Sequence, residues 1–434
     1  MRSMTTLCLS AMFIASCATT RGANPPPGAS APSNPAAKGG IRFGDDLAFL
    51  RQHTRVVLLQ DSSGQAQIAV APEYQARVMT SSAEGEGGAS FGFLNRAFIA
   101  RRERVPHINV FGGEDRFWFG PEAGQFGLFF APGAAFDLAH WQTPEVIDWG
   151  AWDVAEQSAS AVRFTKDAAL QNHSGSQFFV RVERTVRILD RSELASVLGA
   201  ELPAGLRGVG YASENTIENT GQVAWSKQTG LLSIWILGMF NPSPRMTIVI
   251  PFRPGPDSEL GPIVNDAYFG KVPDDRLQIG NAALFFRGDG AQRGKIGVSR
   301  PRARPIAGAY DAETGVLTLV QYTLPDTATE YVNSMWEEQK APYSGDVINS
   351  YNDGPPEPGK PSLGPFYELE TSSPAAALTP GAKLTHVHRT IHLSGARADI
   401  DSVAQRLLGA NLRQIEHAFD APTLGAQVAE PRSK

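Results

Sequence analysis

Residues 177–189, Q-F-F-V-R-V-E-R-T-V-R-I-L, decide the fold class. Phe178, Val180, Val182, Val186 and Ile188 share one parity, and Arg181, Glu183 and Arg187 share the other. Such a period of two marks a strand with one buried face and one wet face. Working outward, shorter runs of strand character precede it at Val56 to Gln60, Gln67 to Val70, Arg77 to Thr80, Phe126 to Phe130 and Val162 to Thr165. Others follow at Tyr211 to Glu218, Leu231 to Leu237, Met246 to Phe252, Leu284 to Phe286, Ile296 to Ser299, Val316 to Tyr322, Phe366 to Glu370 and Leu384 to Leu393. Turn residues separate nearly all of them. Helices are few: one capped by Asp45 or Asp46, then Ser192 to Leu198, Thr329 to Lys340 and a terminal stretch from Asp399 to Ala418. Strands without alternating helices predict an all-β, large antiparallel sandwich. No fixed-period repeat points to a propeller or solenoid. The Pro- and Gly-dense run Tyr343 to Pro365 reads as a long ordered loop within one domain, 41–434.

The 434 residues are 42% hydrophobic and 19% charged with 43 Gly and 31 Pro, a globular, loop-rich composition. A net charge of -5 with scattered Lys and Arg excludes a nucleic-acid footprint. Both cysteines lie within the first seventeen residues, so residues 18–434 hold no disulfide between themselves.

Residues 1–17 read as a signal peptide: Arg2 gives the positive start and Leu7 to Ile14 the short apolar region. Its ending, Ile14-Ala15-Ser16-Cys17, resembles the bacterial lipobox, which implies lipidation of Cys17 and a membrane partner through that anchor. Residues 18–40 are Pro, Ala, Gly, Ser and Asn with almost no large apolar side chain, the composition of a disordered tether. The expected location is the bacterial cell envelope, at the outer membrane facing the periplasm.

Residues 111–130, F-G-G-E-D-R-F-W-F-G-P-E-A-G-Q-F-G-L-F-F, concentrate Glu114, Asp115, Glu122, Arg116 and aromatics among glycines. Interior Gly weakens a strand and unpaired buried acids are costly, so the composition suggests a concave polar site and not a buried strand. Trp118 offers a flat apolar face, and the acids and Arg116 can hydrogen-bond hydroxyls, which suits a sugar ring.

Several further segments together carry a family resemblance. The opening V-V-L-L-Q-D-S-S-G through Y-Q-A-R-V, the run F-G-F-L-N-R-A-F-I at 91–99, I-E-N-T-G at 217–221, F-Y-E-L-E-T-S-S-P at 366–374 and L-T-P-G-A-K-L at 378–384 resemble the galactose-mutarotase superfamily of aldose 1-epimerases. The resemblance runs from about Arg55 to about Leu393. It implies a β-supersandwich with a few short helices, Asn95 and Arg96 facing a sugar, His107 in a His-Gly-Gly-like segment, and Glu370 as catalytic base. Where such epimerases carry a catalytic His, this chain reads W-S-K-Q-T-G from Trp225, with none. In look the chain is closer to uncharacterised bacterial lipoproteins of that superfamily than to true epimerases, so fold transfers better than activity.

The expected function is carbohydrate binding with acid/base processing, Glu370 serving as base and one of Glu114, Asp115 or Glu122 as acid. Asn95, Arg96, His107, Arg116 and Trp118 are the expected substrate contacts. The alternative is a non-catalytic glycan-binding lipoprotein. As an enzyme it would be carbohydrate-active and cofactor-free. Trp235, in an apolar strand, reads as core. His386, His388 and His392 share one face of the last strand, expected to be solvated and not a metal site, because one strand supplies too few ligands.

Overall fold

Among the described residues, strand pairing gives three sheets, all antiparallel. The structure, a computed structural model, describes residues 40–420. Ten strands form the large sheet in the spatial order Leu277–Ile279, Ala283–Arg287, Met246–Pro251, Ile306–Asp311, Val316–Tyr322, Lys383–Ser394, Arg207–Asn219, Gln177–Ile188, Ala161–Gln171 and Asp153–Gln157. A five-stranded sheet runs Gly294–Ser299, Asp346–Asn352, Tyr367–Ser372, Ser233–Phe240 and Arg116–Gly120. Val57–Gln60, Gln67–Ala71 and Arg77–Ser82 make a smaller third. This is the antiparallel β-sandwich class predicted above.

The alternation in Gln177–Ile188 is observed: its even-numbered residues are buried and its odd-numbered ones half-buried or exposed. The strands Ser233–Phe240 and Tyr367–Ser372, by contrast, are buried throughout. One face of the five-stranded sheet packs on the large sheet, and its other face is covered by loops, so neither parity meets bulk water. Helices Arg191–Leu198 and Arg397–Leu408 close another core, where Leu194, Leu198, Ile400, Val403 and Leu408 pack on Leu317, Leu319, Ile391 and Leu393. Burial of each such side chain stabilises the fold by about 1.5–3 kcal/mol. No helix among the described residues is long and apolar enough to cross a membrane.

Several local expectations are corrected. Arg116–Gly120 is a buried strand, because Arg116 finds an acid two strands away in the same sheet, on Tyr367–Ser372, instead of being left unpaired. Phe126–Phe130 is no strand: Gly127 donates to Gly124 O and Leu128 to Pro121 O, so the backbone bonds to itself locally. Thr329–Lys340 forms no helix, since the Asn333 side chain caps Met335 N and the Gln339 amide bonds Asn333 O and Met335 O. Within Tyr343 to Pro365, Asp346–Asn352 is an interior strand and the loop begins only after it. Cys17, the signal peptide and the tether up to residue 39 lie outside the described residues.

Candidate functional site

The loop-covered face of the five-stranded sheet forms a cleft of about 220 Å³. That is below the roughly 300–1,000 Å³ of drug-sized ligand sites, so it suits a small unit. Strand geometry determines what it displays. Trp235, Leu237 and Met239 alternate with Ile234, Ile236 and Phe240; the first set lines the cleft and the second enters the core. By the same parity Arg116 and Trp118 line the cleft while Phe117 and Phe119 are core.

Two cross-strand rows carry the charge. Lys295, Tyr351, Glu368 and Met239 form one; Gly297, Asn349, Glu370, Leu237 and Arg116 form the next. Ion pairs cross between the rows: Arg116 bonds Glu368, and Lys295 Nζ donates to Glu370 Oε2 at 3.0 Å. Trp235 Nε1 donates to the same oxygen at 3.0 Å. The Lys295 ammonium also lies 4.7 Å from the Trp235 ring centroid and 5.3 Å from that of Tyr268, within cation–π range. Burial opposes its charge, but Glu370 and Glu122 outweigh that and raise its pKa. Gly297 leaves space for this packing, since a Cβ there would come within 2.1 Å of Asp346 Oδ2.

Glu122, just beyond the strand Arg116–Gly120, accepts from Trp141 Nε1 at 2.8 Å. Burial raises its pKa, with Lys295 opposing and Glu370 adding to the rise. Burial likewise raises Glu368, against the pull of Arg116 and with the help of Glu370. Asp353, just past the strand Asp346–Asn352, accepts from Tyr351 OH at 2.8 Å and from Gly364 N, and burial pushes its carboxyl up to about 6. Trp118, Trp235, Trp141, Trp336 and Phe269 supply ring faces around these groups. Trp118 Nε1 and Glu370 Oε1 are buried with no partner in the protein.

Of the expected site residues, the cleft gathers Arg116, Trp118 and Glu122. Glu370 is fully buried and reaches it only through Lys295 and Trp235, which do line it. The others lie elsewhere. Glu114 is enclosed between the sheets with Ser81, Tyr211 and His392, because its backbone continues toward the sandwich core. Asp115 is there too, paired with Arg184 at 2.7 Å. Asn95 caps the helix Arg96–Arg101 by accepting from Phe98 N, and Arg96 is paired with Asp46. His107 is exposed and bonds Trp141 O through Nδ1 at 2.6 Å. His386, His388 and His392 are buried and not solvated; each bonds a threonine, Thr371 or Thr318, and no metal-holding group occurs among the described residues.

Sequence reasoning missed Lys295, Asp353, Tyr351, Trp141, Trp336 and Glu368; Trp235, read as core, is buried in the core and lines the cleft as well. One signal was present: Glu368 and Glu370 share a parity, so they share a face, and two acids on one face of an interior strand require cations nearby.

Fold and site together define a β-sandwich protein with a small aromatic and charged cleft on the loop-covered face of its smaller sheet. The chain belongs to DUF6786, a family of unknown function, whose model matches residues 41–419. No curated protein matches it. Among solved structures it is similar to the Slr1438 protein of Synechocystis, at 12% identity over 79% of this chain and 96% of that one, TM-score 0.45. It is similar also to a putative aldose 1-epimerase from Escherichia coli, 12% identical over 79% and 99%, TM-score 0.43. A galactose mutarotase-like protein from Lactobacillus casei is 14% identical over 78% and 100%, TM-score 0.43. At such identities the chemistry has to be read from this chain's own side chains.

Proposed function

We propose that the cleft binds a carbohydrate and that a lipid on Cys17 holds the protein at a bacterial cell envelope. The first half rests on the convergence, on one sheet face, of the ring faces of Trp118 and Trp235 with Arg116, Lys295, Glu122 and Glu368. Indole faces pack against the C–H face of a sugar, and the charged groups exchange hydrogen bonds with hydroxyls. The buried, unpartnered Trp118 Nε1 is a further donor at the site. For the second half the support is the lipobox-like Ile14 to Cys17 and the tether after it.

A second reading, acid/base processing of that carbohydrate, is favoured by Glu122 and Asp353, whose burial raises both pKa values. A carboxyl whose pKa is raised keeps its proton to higher pH than an ordinary one and so can serve as a general acid. In this reading Glu122 is the acid, and Glu368, which lines the cleft and whose carboxyl burial pushes up to about 8, takes the base role expected of the enclosed Glu370 once pH is high enough to ionise it.

Tryptophan fluorescence titration against a panel of sugars and envelope glycans tests binding; saturable quenching that Trp118→Ala abolishes is the expected result, and a panel without response overturns the carbohydrate reading. Chromatographic product detection, with Glu122→Gln and Glu368→Gln as controls, separates processing from binding. For the anchor, membrane fractionation of wild type and Cys17→Ser decides, since only the variant should be released.

A further inference from the structure

The buried floor of the cleft sets charged groups among Trp118, Trp235, Leu237 and Met239, and exposed apolar side chains stand at its mouth. Arg116, Glu122, Lys295 and Glu368 are each under a tenth exposed. Around the entrance stand Leu138 and Leu363, 52% and 44% exposed, with Pro356, Pro361, Ile108 and Phe269. Large apolar side chains left singly in water call for no explanation. Here, however, two of the five exposed large hydrophobics among the described residues come from separate loops, 121–144 and 353–366, and line the same cleft. A free sugar is polar on every edge and would leave that rim without a partner. The floor therefore fits a hydroxyl-bearing head, and the rim fits an apolar group emerging from it.

We infer that the ligand of this cleft is a glycoside whose aglycone is apolar, alkyl or aryl, with the sugar at the Arg116–Glu368 floor and the aglycone between Leu138 and Leu363. This rests on the carbohydrate reading above and names the substrate class within it.

The full-length protein is titrated with methyl, octyl and phenyl glycosides of the same sugars, the octyl compounds kept below their micelle concentration. Octyl or phenyl glycosides should bind about tenfold or more tightly than the methyl glycoside of the same sugar. Leu138→Ser combined with Leu363→Ser, both at exposed positions, should erase that ratio and leave methyl glycoside binding unchanged. A gain with octyl alone identifies a lipid-like aglycone and a gain with phenyl alone an aromatic one, and either supports the inference. Equal affinity of methyl, octyl and phenyl compounds overturns it while leaving carbohydrate binding standing, as does a ratio that survives in the double variant. If no glycoside of any kind binds, the carbohydrate reading falls and this inference falls with it.

Discussion

Lys295 stands in the cross-strand row of Glu368, yet its ammonium is bonded to Glu370, one row along, at 3.0 Å. Arg116 does the reverse, standing in the row of Glu370 and bonding Glu368. The crossing ties three of the five strands, Gly294–Ser299, Tyr367–Ser372 and Arg116–Gly120, through charged side chains on one face.

Breaking one of these pairs leaves a buried charge uncompensated, whereas removing both partners does not. Lys295→Met should therefore destabilise the protein by about 3–5 kcal/mol in denaturant unfolding. Adding Glu370→Leu to that variant should recover much of the loss. A double variant no more stable than the single one would show that the pair is not energetically coupled.

Arg184 offers a second test of burial. It lies on the apolar parity of Gln177–Ile188, fully enclosed, and bonds Asp115, Asn215 Oδ1 and Ala76 O. Arg181, on the other parity of the same strand, pairs with Asp167 in solvent. Arg184→Met should cost about 3–5 kcal/mol, and Arg181→Met far less, because solvent screens its pair. Similar losses at the two sites would contradict the assignment of faces.

Asp353 predicts a pH dependence. Its folded pKa of about 6 lies above the ordinary 3.8, so between those values the folded chain binds a proton that the unfolded chain has released. Stability contributed at this site is thus present below the lower value and declines as pH rises through the upper one. Asp353→Asn should remove that decline, so that between those two pH values the unfolding free energy of the variant changes with pH in a more positive direction than that of the wild type. An unchanged slope would place the titration elsewhere.

The buried histidines slope the other way. Burial lowers His386 to about 3 and His388 to about 4, both below the ordinary 6.5. As pH falls below the ordinary value the unfolded chain takes up protons that the folded chain refuses, and stability is lost. His388→Gln should lessen this acid loss, measured by thermal unfolding from neutral to acidic pH; an equal loss in the variant would sink the prediction.

Lys295 does most to hold Glu122 down against burial, and Trp141→Phe removes a further contribution, the indole hydrogen bond. The Glu122 carboxyl should then titrate at higher pH, moving the corresponding limb of the binding profile in the alkaline direction. A limb that stays in place would mean that Glu122 does not govern it.

The outer lines of this picture were legible because they depend on neighbours in sequence. Period-two alternation at Gln177–Ile188 reports which side of a strand is wet, and the terminal helices after the last strand follow from local pattern. The acids of residues 111–130 were legible only as a composition. Glu114 and Asp115 enter the sandwich core, while Glu122, a few residues on, enters the cleft. Composition alone does not say where a chain turns between two surfaces, and here a strand of five residues intervenes.

By itself, then, the sequence determined the all-β class, most strand positions and the general place of the aromatic and acidic block, since each follows from contacts a few residues apart. Tertiary structure decided the partners. Arg116 meets Glu368 across 252 positions, and Lys295 meets Glu370 across 75. A buried charge is tolerated only where an opposite charge reaches it, and which strands lie side by side is a property of the folded sheet and not of any segment within it.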